Sequence, residues 1–253
     1  MTDNILVGPG DYDEFCITAP SDPKLPGGGG YPVCGLYNIT PTKYADNQSV
    51  VKDTDEFGKF TSTNDFLNVT IDARLQRNIR LGGGLDTGRT VRDRCFIVDS
   101  PQEMKYCRVV TPFNGQTQFK LHGVFPLKGD FVASFAYQNL SGPQLTASYT
   151  APANAIDWVG ADRPLAGGAT SVSNIPLVEP GTQFGNRVNR LDLRLGKAFR
   201  VNKTRIQVNV DAYNAFNSSA IRAYNLVYGP TTYLNPVQIL DARIIQFGGQ
   251  ISF

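Results

Sequence analysis

The feature that most constrains the fold of this chain is an alternation of apolar and polar residues over most of its last twelve positions, 242–253. This period of two is that of a β-strand with one apolar and one polar face. An apolar row that ends on an aromatic residue is typical of a strand whose end lies at a membrane interface. The pattern therefore predicts a membrane strand from an outer-membrane β-barrel. The apolar row is Ile245, Phe247, Ile251 and Phe253, and the polar row includes Gln246, Gln250 and Ser252.

The same alternation occurs in three predicted hairpins, which cover about residues 67–86, 118–138 and 190–212. Their turns are short, at Arg77-Asn78, Pro126 to Asp130 and Val201 to Lys203, whereas segments 88–115, 140–187 and 217–241 are long and rich in turn-forming residues. Outer-membrane barrels have short periplasmic turns and long external loops. The sequence thus predicts an all-β, antiparallel up-and-down transmembrane β-barrel. About 7–8 strands are expected, forming a partial barrel with an open edge at Asn64 to Leu75.

Aromatic residues support the same orientation. Phenylalanines flank the short turns and end the chain, as expected for an interfacial girdle: Phe125, Phe131, Phe199 and Phe253. Two basic residues interrupt the apolar rows, Lys197 near the short-turn side and Arg243 near the opposite side. Basic residues near an interface cost little because their charged ends reach water.

Composition excludes several other classes of protein. The 24 basic and 22 acidic residues are interspersed and give a net charge of +2, so no basic stripe predicts a nucleic-acid partner. No run of about 18 apolar residues is present, which excludes a spanning helix but not spanning strands. The mean hydropathy of −0.21 is therefore no evidence of solubility.

The four cysteines flank polar, loop-like stretches, and this placement favours two local disulfides, Cys16–Cys34 and Cys95–Cys107. Neither CxxC nor Cys/His spacing occurs, and His122 is the only histidine, so we expect no metal site. The amino terminus shows no signal-peptide pattern, which leads us to expect that an export signal precedes this sequence.

Several segments resemble the C-terminal barrel strands of TonB-dependent outer-membrane receptors of Gram-negative bacteria, in the Oar-like, carboxypeptidase-regulatory-domain subfamily. The resemblance covers nearly the whole chain. It is carried by residues 190–194 (RLDLR), 210–217 (VDAYNAFN) and 246–253 (QFGGQISF), and by the loop-like segments 15–20, 25–31, 33–37 and 99–102.

The resemblance implies a C-terminal fragment in the cell outer membrane, because the family has a plug and a barrel of about 22 strands. Residues 1–63 would be mostly extracellular loop, and 64–253 would be strand hairpins and loops. The implied partners are outer-membrane lipid, the missing N-terminal barrel and plug, the TonB complex acting through that plug, and the barrel-assembly machinery. An assembly signal would comprise Phe247, Ile251 and Phe253.

The implied function is uptake of an unknown small extracellular ligand through the barrel, without a cofactor. Eight polar residues are candidates for lining the lumen: Arg74, Arg80, Arg190, Asp192, Arg194, Arg205, Asn209 and Asp211.

We predict no enzymatic activity. The Asp86-Thr87-Gly88 triplet has no second copy, as an aspartic protease would require, and no nucleophile and base can be placed together. The alternative function is a secreted, soluble β-sandwich that serves as a binding or adhesion module, since its strands would alternate in the same way. Dependence on detergent would separate the two hypotheses.

Overall fold

The computed structural model describes residues 1–202 and 204–253, and this part of the chain is all-β. Within it, no helix is both long and apolar enough to cross a membrane. The helical segments are α1 (Phe113–Gln116) and the 3-10 turns Pro9–Asp11, Pro26–Gly28, Thr54–Glu56, Gln76–Asn78, Pro101–Met104, Ala153–Ala155 and Ala166–Gly168. The strands are β1 (Thr2–Asn4), β2 (Tyr12–Thr18), β3 (Pro32–Ile39), β4 (Ser49–Val51), β5 (Thr61–Arg74), β6 (Arg80–Asp93), β7 (Arg108–Thr111), β8 (Gln118–Pro126), β9 (Phe131–Leu140), β10 (Gln144–Leu145), β11 (Ser148–Pro152), β12 (Ile156–Trp158), β13 (Ser171–Pro176), β14 (Gln183–Phe184), β15 (Val188–Val201), β16 (Thr204–Tyr213), β17 (Ile221–Tyr224), β18 (Pro236–Ile239) and β19 (Ile244–Ser252).

Seven long strands form one antiparallel sheet, here called the main sheet, in the order β5-β6-β8-β9-β15-β16-β19. The short strand β7 pairs with the far end of β6. In the described residues β5 and β19 do not pair with each other, so this sheet is open and not a closed barrel. The predicted antiparallel up-and-down order is confirmed, and the predicted open edge is strand β5.

Three tight turns connect β5 to β6, β8 to β9 and β15 to β16. Each contains a residue type that tolerates positive φ: Asn78 at 60°, Gly129 at 74° and Asn202 at 55°. Lys203, where the third predicted turn ended, lies outside the described residues. All three turns lie at one end of the main sheet, the short-turn end, and the long segments leave from the other, the loop end.

The register keeps apolar and polar residues on opposite faces across all seven strands. For example, Leu193 lies opposite Phe135 on one side and Ala212 on the other, while Arg194 lies opposite Ser134 and Asp211. The apolar face contains Leu67, Val69, Ile71, Leu81, Leu85, Phe119, Leu121, Phe125, Phe131, Phe135, Tyr137, Leu191, Leu193, Leu195, Phe199, Ile206, Val208, Val210, Ile245, Phe247 and Ile251.

The buried core lies outside the main sheet. Twelve buried residues pack together in a module that we call the cap, which is built from the segments before β5, between β9 and β15, and between β16 and β19. By contrast, Ile71 and Phe247 on the apolar face are 67% and 75% exposed. The cap core is Phe15, Ile17, Ala19, Leu25, Val33, Leu36, Ala147, Ala151, Ile175, Leu177, Val178 and Tyr233.

Segments expected to be loops are therefore folded. Strand β2 lies between β3 and β12, so that residues 1–63, expected to be mostly loop, pair with the segment between β9 and β15. The short strands of the cap, such as β10 and β12, carry too few residues for a period of two to be recognised, and β2 pairs with β3 across a register shift.

Both expected disulfides are present, Cys16–Cys34 and Cys95–Cys107. The first joins β2 to β3 within the cap. The second closes the segment between β6 and β7, where the ammonium of Lys105 donates to the carbonyl oxygen of Cys34. Closing loops of this length stabilises a fold by about 3 kcal/mol each.

Candidate functional site

The polar face of the main sheet brings together all eight residues predicted to line a lumen. Arg190 lies towards the loop end, Asp192, Arg194, Asn209 and Asp211 lie near the level of the middle of β15, and three lie next to short turns. The residues next to short turns are Arg74, Arg80 and Arg205.

A bidentate ion pair joins β15 to β16 near the middle of β15. The guanidinium of Arg194 donates from Nε to Oδ1 of Asp211 at 2.5 Å and from Nη2 to Oδ2 at 3.0 Å. The Asp211 side chain is only 6% exposed, whereas that of Arg194 is 52% exposed. This geometry fixes both side chains, since two parallel hydrogen bonds specify direction as well as contact.

A second ion pair lies next to it on β15, and its aspartate also accepts a hydrogen bond from the start of the segment between β16 and β19. Arg190 donates from Nε to Oδ1 of Asp192 at 2.9 Å, and the same Oδ1 accepts a hydrogen bond of 2.8 Å from the backbone N–H of Asn214. The two acidic side chains are thus occupied by arginine and by backbone, and neither is free to bind a cation.

Asn214, which sequence reasoning did not select, anchors the segment between β16 and β19. Its side chain is buried, and Nδ2 donates to the carbonyl oxygens of Ser218 at 2.9 Å and Asp241 at 2.7 Å. Oδ1 accepts from the N–H of Ser218 at 3.0 Å. The position of an asparagine directly after a strand, here with φ of 49°, is the one sequence signal that could have pointed to it.

Replacing Asn214 with alanine is expected to loosen this segment selectively. The change removes three side-chain hydrogen bonds and leaves partly buried backbone groups of Ser218 and Asp241 without these partners, at a cost of about 1–3 kcal/mol. Hydrogen exchange of the amides in residues 215–243 should become faster, while exchange in β8 and β9 stays unchanged. Asn235→Ala is the matched control, because the side chain of Asn235 lies in the same segment and donates only to the carbonyl of Thr231. Equal acceleration in the two variants would contradict the anchoring role.

A cavity of about 280 Å³ lies where the polar face meets the cap. It combines apolar walls with two guanidinium groups, and such a mixture suits a small ligand that carries a polar or acidic group. The cavity is lined by Gln138, Leu140, Ser141, Gly142, Pro143, Val188, Arg190, Arg222 and Leu240.

Glycines on the polar face provide space for its functional side chains. A Cβ at Gly82 would lie 2.6 Å from Nε2 of His122 and 2.7 Å from Oδ1 of Asp72, and a Cβ at Gly196 would lie 2.6 Å from Oδ1 of Asn209. All three distances are shorter than an ordinary van der Waals contact. A larger residue at either position would displace these polar groups.

The remaining sequence candidates lie on the apolar side. Phe247 and Ile251 project from the apolar face of the edge strand β19, and Phe253 follows that strand; all three are exposed. In the described residues no group of three or more His, Cys, Asp and Glu side chains is arranged to hold a metal ion.

The pKa values of two aspartates, Asp3 and Asp99, are shifted in opposite directions. A hydrogen bond from the Lys52 ammonium to the Asp3 carboxylate, 2.7 Å long, lowers the pKa of Asp3. Burial raises the pKa of Asp99, although its carboxylate accepts from the N–H of Asn4. As pH falls, Asp99 therefore takes up its proton first, which relieves a burial penalty. The stabilisation from Asp3 is present above its unfolded-state pKa and is lost only at lower pH, as pH falls through its lowered folded-state value.

No protein family, curated protein or solved structure matches this chain at a significant level. The class of the molecule therefore follows from its own architecture: an all-β protein with an open antiparallel sheet, one exposed apolar face, one charged face, and a disulfide-bonded cap at one end.

Proposed function

We propose that this chain is the C-terminal part of the wall of a TonB-dependent receptor, a barrel of the outer membrane that takes up an extracellular ligand. The observation that carries the proposal is the exposed apolar face of the main sheet, combined with a buried core that lies elsewhere in the same chain. Soluble proteins rarely expose a continuous apolar surface of this extent. Lipid is the partner that such a face fits best.

A soluble β-sandwich would cover this face with a second sheet. Here the short sheets of the cap instead pack around their own core of Phe15 and its neighbours. Leu193 and Leu195, in the centre of the main sheet, are 43% and 47% exposed. The alternative of a secreted sandwich module therefore finds less support in the structure.

The apolar face is bounded by polar residues near the loop end. Asp65 and Arg89 lie directly opposite each other there and form an ion pair of 3.1 Å. On strands β9 and β15 the hydroxyl of Tyr137 donates to Oδ1 of Asn189 at 2.9 Å. Tyrosine and polar residues at the edge of an apolar band are typical of the membrane interface.

The other boundary lies near the short turns, where the ammonium of Lys197 lies 4.5 Å from the ring centre of Phe131 and 5.0 Å from that of Phe199. On β15, Lys197 is eight positions after Asn189, which corresponds to about 26 Å along the strand. With the strand tilt of about 40° that is usual in outer-membrane barrels, this length spans about 20 Å of the membrane normal, which is comparable to the apolar band of about 25 Å.

Both edges of the main sheet favour completion by further strands. The 14 residues of β5 have a partner on one side only, and the same holds for β19. Unpaired strand edges are not tolerated in lipid because their backbone groups would lack hydrogen bonds. In the proposed barrel, other strands of the receptor pair with β5 and β19, the cap faces the exterior, and the polar face lines the lumen with its ligand cavity.

Quenching of tryptophan fluorescence by brominated lipids tests the proposal. The chain has a single tryptophan, Trp158, which packs in the cap against Phe15. In a Trp158→Phe background, Phe247→Trp places the probe on the apolar face, and Gln246→Trp places it on the polar face one residue away. We expect strong quenching of the first, weak quenching of the second, and weak quenching of native Trp158, in vesicles that carry the full chain.

Equal quenching at positions 246 and 247 would contradict a lipid-facing apolar side. Failure of the chain to float with the vesicles, together with a stable detergent-free solution, would favour the soluble β-sandwich module.

A further inference from the structure

Arginine lies directly opposite arginine where two of the three short hairpins close. Arg74 on β5 is paired in register with Arg80 on β6, and Arg200 on β15 with Arg205 on β16. All four side chains are exposed and project from the polar face. Like charges in directly opposite positions destabilise a sheet, so the folded chain alone does not account for this arrangement.

The turns at this end add further positive charge. Arg77 lies in the first turn and Lys128 in the second, and the nearby acidic residues are Asp72 and Asp130. We call the six basic residues the basic rim: Arg74, Arg77, Arg80, Lys128, Arg200 and Arg205. Within residues 1–202 and 204–253, none of the six forms an ion pair.

Elsewhere on the same face, part of the positive charge is neutralised. Arg190 and Arg194 each form an ion pair with an aspartate. Among the basic residues on the polar face of the main strands that form no ion pair in the described residues, four lie at the short-turn end and two, Arg92 and Lys120, lie towards the loop end. The short-turn end is therefore the end better suited to an external anionic partner.

The shape of the surface suits an extended ligand. A recess of about 570 Å³ beside the first arginine pair is lined by residues that include Asp72, Arg74, Arg80 and His122. A smaller recess of about 150 Å³ lies beside Arg200 and Arg205. The two arginine pairs are separated by the distance from β6 to β15. This distance is three strand spacings, or about 14 Å, which an extended peptide of four to five residues would span.

We propose that the basic rim is a docking surface for an acidic polypeptide segment that lies across the polar face at the short-turn end. Guanidinium groups bind carboxylates through two parallel hydrogen bonds, and two arginine pairs could each hold one or more glutamate or aspartate side chains. A polypeptide is favoured over anionic lipid because the four paired arginines project from the polar face, opposite the apolar face that suits acyl chains.

The test uses the full chain in micelles of a zwitterionic detergent and a fluorescein-labelled peptide of alternating glutamate and glycine. Fluorescence anisotropy should report binding that weakens with added salt. The variant R74Q/R80Q/R200Q/R205Q should lose at least about 10-fold in affinity, since it removes the paired arginines. The matched control R92Q/R94Q/R108Q/R243Q removes the same charge near the loop end, and we expect a change of less than about 2-fold.

Three results would overturn the inference. The first is equal loss in the two variants, which would indicate unspecific attraction. The second is the absence of peptide binding to the unmodified chain. The third is rim-dependent binding of phosphatidylglycerol micelles without binding of the peptide, which would assign the rim to lipid. Because the assay needs no bilayer, its outcome is independent of whether the chain inserts into a membrane.

Discussion

Arginine in place of Leu193 is expected to destabilise the lipid-inserted chain by about 2–4 kcal/mol, the cost of a basic side chain at the bilayer midplane of a β-barrel. Leu193 lies in the centre of the apolar row of β15, four residues from Asn189 and four from Lys197. Its side chain therefore lies about 13 Å along the tilted strand from each boundary residue, or about 10 Å in depth, too far for the charge to reach water.

The measurement is denaturant-dependent folding into phosphatidylcholine vesicles, followed by protease protection. Gln246→Arg is the matched control, because Gln246 lies opposite Asp211 on the polar face at nearly the same level along the strands. We expect it to change stability by less than about 0.5 kcal/mol, as for an ordinary substitution in contact with water.

The two hypotheses of function predict different results for this pair of variants. Leu193 is already 43% exposed, so in a soluble protein the arginine would also be a surface substitution with an effect within about 0.5 kcal/mol. Nearly equal stabilities of Leu193→Arg and Gln246→Arg would therefore count against lipid as the partner of the apolar face.

The main sheet was predictable because its strands are long and obey a period of two. The registers that pair Leu193 with Ala212 and Arg194 with Asp211 follow from keeping apolar residues on one face. The short turns were also predictable from the sequence. They contain Asn78 and Asp130, which are residue types that tolerate the positive φ required there. The eight polar-face candidates shared a face for the same reason, whereas their role in a lumen stays a prediction.

The cap was not predictable in this way. Its strands are short, and its core joins residues distant in sequence, such as Ile17 and Ile175, whose contact no local periodicity reveals. Asn214 was missed because its importance comes from three backbone partners in a folded segment, and not from a motif. Only the predicted Cys16–Cys34 disulfide indicated that part of the cap is ordered.

Truncation of Phe15 to alanine is expected to unfold the cap without unfolding the main sheet. Phe15 is fully buried in the cap core and contacts Trp158 edge to face, with ring centres 5.7 Å apart. Loss of a buried phenylalanine costs about 3–5 kcal/mol, which is comparable to the whole stability of a small module. Because the cap core contains no residue of the main sheet, the sheet should keep its own hydrogen bonds.

Emission of Trp158 reports on the cap directly, since the chain has no other tryptophan. In Phe15→Ala we expect a red shift and rapid hydrogen exchange in β2, β3 and β12, with the exchange of β8, β9 and β15 retained. Phe66→Ala is a suitable control, because Phe66 is 59% exposed on β5 and contributes nothing to the cap core. A single cooperative transition that removes cap and sheet together in Phe15→Ala would show that the two share their stability. The main sheet would then require the cap for its stability. In that case, variants that unfold the cap could not be used to test whether the cap binds a ligand.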